Sequence, residues 1–251
     1  MPQLATQIIG HRGAAAYAPE NTLASFDKAL SLGCKFVEFD VTLSADGEPF
    51  VFHDDSLSRT TNGHGDLAVV NANYLYSLDA GYWFANQYRG QQIPHLGEVL
   101  QWLTTYDVQA NIEIKPAPRR CQQTVLTIIS YINRYWPKHK PAPLISSFDL
   151  AMLFFCHQQT LALPLGLLLD QWDPVWLLKA KELECYSVHC NKLMLNAQRA
   201  QQIKAQGFKL LVYTVNHQYE ARKLFAWGVD AVFSDYPNLL SLGPYCRSGT
   251  Q

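Results

Sequence analysis

Short apolar segments alternate with helix-like segments along nearly all of this chain of 251 residues. The first helix-like segment is predicted over residues 21–30, with Asn21 as its N-cap and Gly33 just beyond its end. About eight strand–helix repeats favour a TIM (β/α)8 barrel over an open doubly wound sheet, and the lack of a glycine-rich dinucleotide motif supports this choice. The predicted strands lie near residues 7–9, 36–43 together with 50–53, 110–115, 144–147, 165–169, 185–189, 210–215 and 231–234.

One stretch breaks this alternation. The residues from Asp54 to about His95 are rich in Asn, Gly, Thr and Tyr and keep no sustained period. They predict a small inserted subdomain after the second strand region, on the face where such barrels carry their chemistry. No linker or repeat interrupts the rest, so we expect a single domain over residues 1–251 with an insertion at about 54–95.

Composition and charge exclude several kinds of partner. The formal net charge of −1 gives no reason to expect nucleic acid or an anionic membrane surface as a partner. No apolar run is long enough to span a bilayer, so no membrane anchor is expected. The first residues lack a basic region and a cleavage site, which predicts a cytoplasmic protein. With nucleic acid and membrane unexpected, we expect a small molecule as its partner.

The cysteines show no CxxC or zinc-like spacing. In a chain of this size we interpret them as free thiols and small core residues, with disulfides as the alternative. The six are Cys34, Cys121, Cys156, Cys185, Cys190 and Cys246.

Two acidic residues interrupt an otherwise apolar strand-like segment at residues 36–41. Side chains two apart on a strand point to the same face, so Glu38 and Asp40 are neighbours and the apolar residues between them take the other face. Two adjacent carboxylates in such a strand repel each other and lose hydration. A cation has to offset this, and a divalent metal is the leading candidate.

Other polar residues share the same position at the ends of predicted strands. In a parallel barrel these ends converge at one mouth, where such a cluster is costly unless ligands and mutual pairing satisfy it. Glu38, Asp40 and Glu113 would supply three hard oxygen ligands, suited to Mg²⁺ or Ca²⁺ rather than zinc. The full set of strand-end residues is His11, Arg12, Glu38, Asp40, His53, Glu113 and Lys115.

This combination suits a phosphate ester as the ligand. Arg12 and Lys115 would join the metal in neutralising the anion and in stabilising the charge that grows on its oxygens. His11 and His53 would act as general base and general acid on opposite sides of phosphorus.

Motifs spread over nearly the whole chain resemble the signature of the glycerophosphodiester phosphodiesterase family. The joint set is highly specific, although any single motif is not. The motifs are His11-Arg12-Gly13, Pro19-Glu20-Asn21-Thr22, Glu38-Phe39-Asp40, His53-Asp54-Asp55, Arg59-Thr60-Thr61-Asn62-Gly63, Ile112-Glu113-Ile114-Lys115, Asp79-Ala80-Gly81, Ile93-Pro94, Ser146-Ser147-Phe148, Tyr213-Thr214-Val215-Asn216 and Gly228-Val229-Asp230, with Leu167-Leu168-Leu169-Asp170 and His189-Cys190-Asn191-Lys192 closer to its cytosolic bacterial branch.

The resemblance implies a TIM barrel with a small insertion that hydrolyses glycerophosphodiesters to sn-glycerol 3-phosphate and an alcohol. Tyr213 stands where the family often has Trp, so its role in lining the substrate is the least certain of the set. The implied roles are catalysis for His11 and His53, substrate binding for Arg12, Lys115 and Tyr213, and metal binding for Glu38, Asp40 and Glu113.

Several alternatives stay open at the level of sequence. We take His11 as base and His53 as acid, although the sequence does not determine that order or choose between direct attack by water and a cyclic phosphate intermediate. It also leaves open the leaving alcohol, the choice between Mg²⁺ and Ca²⁺, and the oligomeric state. A lyase that releases a cyclic phosphate and a non-catalytic module that binds phosphorylated metabolites are the rival functions.

Three further polar residues are assigned structural roles. Ser187 and His189 alternate on a predicted strand and could line the barrel, but a satisfied structural pair is favoured. His95 has no visible partner, and we expect it at the surface or at the cap of a helix.

Overall fold

A barrel of parallel strands forms the centre of the molecule. The computed structural model describes residues 4–116, 120–159 and 163–241. Eight of its nine strands run parallel in the order β1-β9-β8-β7-β6-β5-β4-β2, the pairing of β1 with β2 closes the barrel, and β3 lies antiparallel on β2. The predicted TIM barrel is confirmed. The strands are β1 (Ile8–Gly10), β2 (Phe36–Leu43), β3 (Pro49–Val51), β4 (Gln109–Ile114), β5 (Leu144–Ser147), β6 (Leu165–Leu169), β7 (Ser187–Asn191), β8 (Lys209–Tyr213) and β9 (Ala231–Ser234).

Helices follow the strands and cover the outside of the barrel. A large apolar cluster fills the space between the helices and the outward faces of the strands. The helices are α1 (Leu23–Ser31), α2 (Ala72–Tyr76), α3 (Leu96–Thr105), α4 (Cys121–Tyr135), α5 (Leu150–His157), α6 (Trp176–Glu182), α7 (Ala197–Ala205) and α8 (Gln218–Ala226). Within the described residues, no helix is both long and apolar enough to cross a membrane.

The two faces of β2 differ as the sequence pattern predicts. Val37, Phe39 and Val41 belong to the apolar cluster beneath the helices, whereas Glu38 and Asp40 alternate with them and face the barrel interior. This alternation carries the two acidic side chains to the carboxyl-terminal mouth of the barrel.

The segment between β3 and α3 contains only short helices. Besides α2 it forms two single-turn 3₁₀ helices, Leu67–Val69 and Asn86–Tyr88. A small cluster of buried side chains, separate from the large one, holds it together. At its end His95 caps α3, because its Nδ1 accepts a hydrogen bond from the Gly97 amide at 3.0 Å, which confirms the capping role.

The start of α1 differs from the sequence prediction. Thr22, not Asn21, is the N-cap: its Oγ1 accepts a hydrogen bond from the Ser25 amide at 3.2 Å and donates one to the Pro19 carbonyl at 2.7 Å. Asn21 adopts a left-handed backbone conformation, with φ of 57°, and turns its side chain inward to Asp40. Gly33 lies just beyond the helix, as predicted.

The buried cysteines of the described chain are free thiols, as expected. Cys34, Cys156, Cys185 and Cys190 are buried and Cys121 is partly buried. Cys246 lies outside the described residues.

Replacing the cap of α1 should destabilise the fold. We expect Thr22→Ala to lower the free energy of unfolding by about 1 kcal/mol, because the helix loses its side-chain acceptor. Thr22→Ser keeps the hydroxyl and should stay close to the wild type in urea titrations monitored by circular dichroism. Equal losses in both variants would assign the effect to the methyl group and contradict the capping role.

Candidate active site

Three carboxylates meet at the mouth of the barrel. Glu38 and Asp40 come from β2 and Glu113 from β4, where Glu113 is the register partner of Asp40. One oxygen from each lies within 4.8 Å of the others. Glu38 and Asp40 are almost completely buried, so the group lacks the hydration that normally separates like charges.

Two cations surround these carboxylates. The Lys115 ammonium lies 3.1 Å from Glu113 Oε1 and 3.6 Å from Asp40 Oδ1, and Arg12 Nε lies 3.5 Å from Asp40 Oδ2. The backbone amide of Arg12 donates to Glu38 Oε2 at 2.9 Å. Because both charged side chains approach Asp40, that carboxylate is compensated best.

The ionisation of the three acids follows from this unequal compensation. Burial disfavours the charged form of all three. At Asp40 the effect of burial is overcome by Arg12 and then Lys115, so its pKa is lowered. At Glu38 burial, Asp40 and Glu113 together raise the pKa well above its ordinary value, and burial with Asp40 raises the pKa of Glu113 to about 7. The cluster can therefore accept more positive charge than the protein itself supplies.

The loop after β1 brings Arg12 to the cluster. The His11 amide donates to the Ser234 carbonyl at 2.8 Å, which continues the pairing of β1 with β9. The turn then closes tightly: a Cβ on Gly10 would lie 2.3 Å from the Gly13 carbonyl oxygen. Arg12 adopts a left-handed conformation, with φ of 51°, and its amide reaches Glu38 from there. Glycine at position 10 is thus required by the close approach of the backbone.

His11 is held by an acidic residue from the far end of the chain. Its Nδ1 lies 2.7 Å from Asp235 Oδ1. The Asn216 side-chain amide donates to the other Asp235 oxygen at 2.5 Å, and Asn216 Oδ1 accepts from the Asp235 amide at 3.0 Å. This arrangement directs the Nε2 side of the His11 ring away from Asp235.

His53 is held in the same way, by its neighbour Asp54, with 2.5 Å between Nδ1 and Oδ1. Burial lowers the pKa of His53, although Asp40 opposes the shift. Arg59 donates to both oxygens of Asp54, at 2.5 and 2.9 Å. Each histidine therefore keeps one ring nitrogen on a carboxylate.

Glu20 links the inserted segment to the loop after β1. Both of its oxygens accept from Arg59, at 2.8 and 2.7 Å. Its Oε1 also accepts from Arg12 Nη1 at 2.6 Å. Alternating charges thus run without a break from Asp54, which holds His53, through Arg59 and Glu20 to Arg12 beside the three acids.

Sequence analysis did not assign roles to these supporting residues. Glu20, Asp54 and Arg59 occur only as parts of motifs, Asn21 is predicted only as a helix cap, and Asp235 is not singled out. Asp235 directly follows β9, so the strand-end argument that selected the other residues would also have selected it. No comparable signal pairs Glu20 with Arg59, because they lie on separate loops.

A cavity of about 110 Å³ lies beside both histidines. Arg12, Glu38, Glu113 and Tyr213 also line it. The Tyr213 hydroxyl does not project freely into this space, because it donates to the Leu169 carbonyl at 2.9 Å. Six of the eight predicted catalytic, metal-binding and substrate-binding residues line this cavity. The other two contact residues that line it: Asp40 contacts Arg12, and Lys115 contacts Glu113.

Ser187 and His189 lie inside the barrel, on β7. Ser187 Oγ and His189 Nε2 are 2.8 Å apart, as a structural pair requires. His189 Nδ1, however, is buried and has no hydrogen-bond partner within the described residues. The expectation of a fully satisfied pair was wrong, because the ring uses only one of its two nitrogens and lines the cavity.

The comparisons with known proteins agree with this site. Residues 11–239 match the model of the glycerophosphoryl diester phosphodiesterase family. The chain belongs to this family. A glycerophosphodiester phosphodiesterase of Caldanaerobacter subterraneus subsp. tengcongensis is 32% identical over 94% of this chain and 96% of its own length. One from Bacillus subtilis (strain 168) is also 32% identical, over 92% of this chain and 84% of its own length.

A solved structure extends the likeness to three dimensions. A phosphodiesterase from Oleispira antarctica, in complex with the product sn-glycerol-3-phosphate, shares 37% identity and a TM-score of 0.91, with 94% of this chain and 95% of that chain covered. The glycerophosphoryl diester phosphodiesterase family and these relatives identify the chain as an enzyme with glycerophosphodiester phosphodiesterase activity. The alternative of a non-catalytic binding module is thereby excluded.

Removing the charge of Glu20 should weaken the link between the insertion and the barrel. We expect Glu20→Gln to lower the free energy of unfolding by about 1–2 kcal/mol, because the amide cannot accept all three bonds from Arg12 and Arg59. Arg59 is partly exposed, and solvent screening keeps the loss in this range. Urea titration would measure it, with Glu182→Gln on the exposed face of α6 as the control. Indistinguishable midpoints for the two variants would contradict the bridging role.

Proposed function

We propose that this enzyme hydrolyses glycerophosphodiesters to sn-glycerol 3-phosphate and an alcohol, with His11 and His53 as the acid–base pair and Glu38, Asp40 and Glu113 as ligands of Mg²⁺ or Ca²⁺. One observation carries the proposal: two histidines, each held by a carboxylate, border the same cavity as an under-compensated cluster of buried acids. The product bound to the Oleispira antarctica relative supports the same chemistry.

The donor set fits a divalent ion. All three side chains offer carboxylate oxygens, which Mg²⁺ and Ca²⁺ prefer, and the raised pKa values of Glu38 and Glu113 reflect negative charge that the chain leaves uncompensated. When bound, such an ion supplies Lewis-acid polarisation of the phosphoryl group. Asn21 supports the set, since its side-chain amide donates to Asp40 Oδ2 at 2.8 Å.

Arg12 and Lys115 bind the phosphate in this proposal. Each already contacts the acids at the boundary between the carboxylates and the space around the histidines: Arg12 lines the cavity beside both histidines, and Lys115 lines a second cavity beside His53. Fixed positive charges at that boundary attract the diester anion and oppose its repulsion by nearby acids. Tyr213, whose ring lines the cavity wall, would contact the carbon chain of the substrate.

The two histidines divide the proton transfers. Water adds its oxygen to phosphorus and gives a proton to one imidazole, while the bond from phosphorus to the alcohol oxygen breaks and that oxygen takes a proton from the other. We assign the base to His11 and the acid to His53. His53 also borders a second cavity of about 260 Å³, which His11 does not line, and this space suits a departing alcohol. Asp235 and Asp54 orient the two rings.

Metal removal tests the ion-dependent part of the proposal. After a chelator has stripped divalent ions, we expect kcat/KM to fall by at least about 100-fold and to recover with Mg²⁺ or Ca²⁺. A panel of glycerophosphocholine, glycerophosphoethanolamine and glycerophosphoglycerol, assayed with each ion, would identify the preferred alcohol. Phosphorus NMR would follow the products. Full turnover by verified metal-free protein would refute the metal role, and a persistent cyclic phosphate would favour the lyase.

Leaving-group chemistry tests the order of the histidines. His11→Ala and His53→Ala should each lower kcat on glycerophosphocholine by about 10²–10⁴. With the 4-nitrophenyl ester of glycerol phosphate, whose leaving group needs no proton, His53→Ala should regain most of its activity and His11→Ala should not. The exposed His217→Ala serves as the control. Recovery by His11→Ala instead would reverse the assignment.

A further inference from the structure

The interior of the barrel contains a layer of uncharged polar side chains next to the three acids, in which Asn111 is the register partner of Glu38 and Ser146 that of Glu113. Barrel interiors are normally filled by branched apolar residues. Here Asn111 on β4, Ser146 on β5, and Ser187 and His189 on β7 are all essentially inaccessible to solvent. Asn111 lies two residues before Glu113 on the same strand, which places it roughly 7 Å deeper in the barrel. These four residues form the polar layer.

Hydrogen bonds among the four residues of the polar layer satisfy only some of their polar atoms. The Asn111 side-chain amide donates to Ser146 Oγ at 2.9 Å, and Ser187 Oγ pairs with His189 Nε2 at 2.8 Å. Asn111 Oδ1 and His189 Nδ1 are buried and have no partner within the described residues. Buried polar atoms are seldom left unpaired in folded proteins, so each of these two calls for an explanation.

Both residues line the floor of the cavity that His11 and His53 border. Its volume of about 110 Å³ is several times what a single water needs, and it suits a small polyol. Leu168 and Phe233 add apolar walls at the same depth. The space therefore combines two unused hydrogen-bonding groups with surfaces that suit the carbon chain of such a molecule.

The floor also carries no net charge. Burial lowers the pKa of His189 to about 3, so its ring is neutral near pH 7 and one of its nitrogens accepts while the other donates. Asn111 is neutral at any pH. The neighbouring backbone leaves room for the ring, since a Cβ on Gly166 would lie 2.6 Å from His189 Nε2. Neutral groups of this kind match hydroxyls rather than an anion or a cation.

We propose that Asn111 and His189 recognise the two free hydroxyls of the glycerol moiety and thereby determine specificity for the glycerol half of the substrate. The phosphate would lie at the level of Arg12 and the acids, and the three-carbon chain would extend down to the polar layer. This inference rests on the proposed function, because it takes the glycerophosphoryl group as the occupant of the cavity. Neither residue takes part in proton transfer; both act by positioning.

Substrates that lack one hydroxyl test this assignment. The phosphocholine esters of glycerol, of propane-1,2-diol and of propane-1,3-diol differ only in those groups. We expect the wild type to favour the glycerol ester over each analogue by roughly 10- to 100-fold in kcat/KM, since a missing hydroxyl leaves a buried atom unpaired. In Asn111→Leu and His189→Phe, kcat/KM on the glycerol ester should fall by this factor, whereas kcat/KM on at least one analogue should change little. The preference for the glycerol ester over that analogue should therefore disappear.

Thr124→Val provides a matched control. Thr124 lies on α4, is buried, and also has an unpartnered oxygen, but it does not line the cavity. Its kinetics should equal those of the wild type. Thermal unfolding would check each variant, and Asn111→Ser and His189→Gln replace any variant that fails to fold.

Binding measurements separate this inference from the proposed function. Calorimetry with sn-glycerol 3-phosphate and with 3-hydroxypropyl phosphate, which lacks only the secondary hydroxyl, needs no turnover. Asn111→Leu and His189→Phe should both lose affinity for the former, and the variant at the residue that recognises the secondary hydroxyl should keep its affinity for the latter. Equal affinity of the wild type for both ligands, or parallel losses on both ligands in both variants, would overturn the assignment of the polar layer. A wild type that binds with the expected preference yet hydrolyses no diester would instead contradict the proposed function.

Discussion

The burial of three carboxylates at the mouth of one barrel is the constraint on which the site depends. Burial removes hydration from each acid, and this loss together with their mutual repulsion raises the pKa of the two that are compensated least, Glu38 and Glu113. Arg12 and Lys115 offset part of this unfavourable energy by approaching Asp40. The remaining imbalance leaves the cluster able to accept further positive charge.

Those loops form a connected support. Glu20 accepts from both Arg12 and Arg59, so the position of the first cation depends on the inserted segment as well as on the loop after β1. Arg59 in turn holds Asp54, which holds His53. Asp235, directly after the last strand, holds His11. His53 is thus positioned by residues of the first quarter of the chain and His11 by a residue near residue 235, which the pairing of β1 with β9 brings beside it.

Much of this arrangement could be predicted from the sequence, for identifiable reasons. Strand alternation is a local property, so it indicated that Glu38 and Asp40 share a face, and the convergence of parallel strand ends then added Glu113. The contacts that orient these groups are not local. Asn is a residue type that often caps helices, yet Thr22 is the cap here and Asn21 binds Asp40. Which of the two residues caps α1 therefore depends on β2, a strand that follows later in the chain. The pairing of Glu20 with Arg59 likewise depends on how an irregular insertion folds.

Polarity changes stepwise along the barrel axis, and this gradient connects stability with recognition. A small apolar cluster that includes Phe36, Leu144 and Leu211 fills part of the barrel interior. On β4 Asn111 precedes Glu113 by two residues, so on this strand a neutral hydrogen-bonding group comes before a charged one on the way to the mouth. Apolar residues at the level of Asn111 and His189 would stabilise the barrel more, since one buried polar atom of each has no hydrogen-bond partner among the residues that the structure describes. Retaining polar groups at that depth is consistent with a ligand whose hydroxyl end lies deep and whose anionic end lies near the acids.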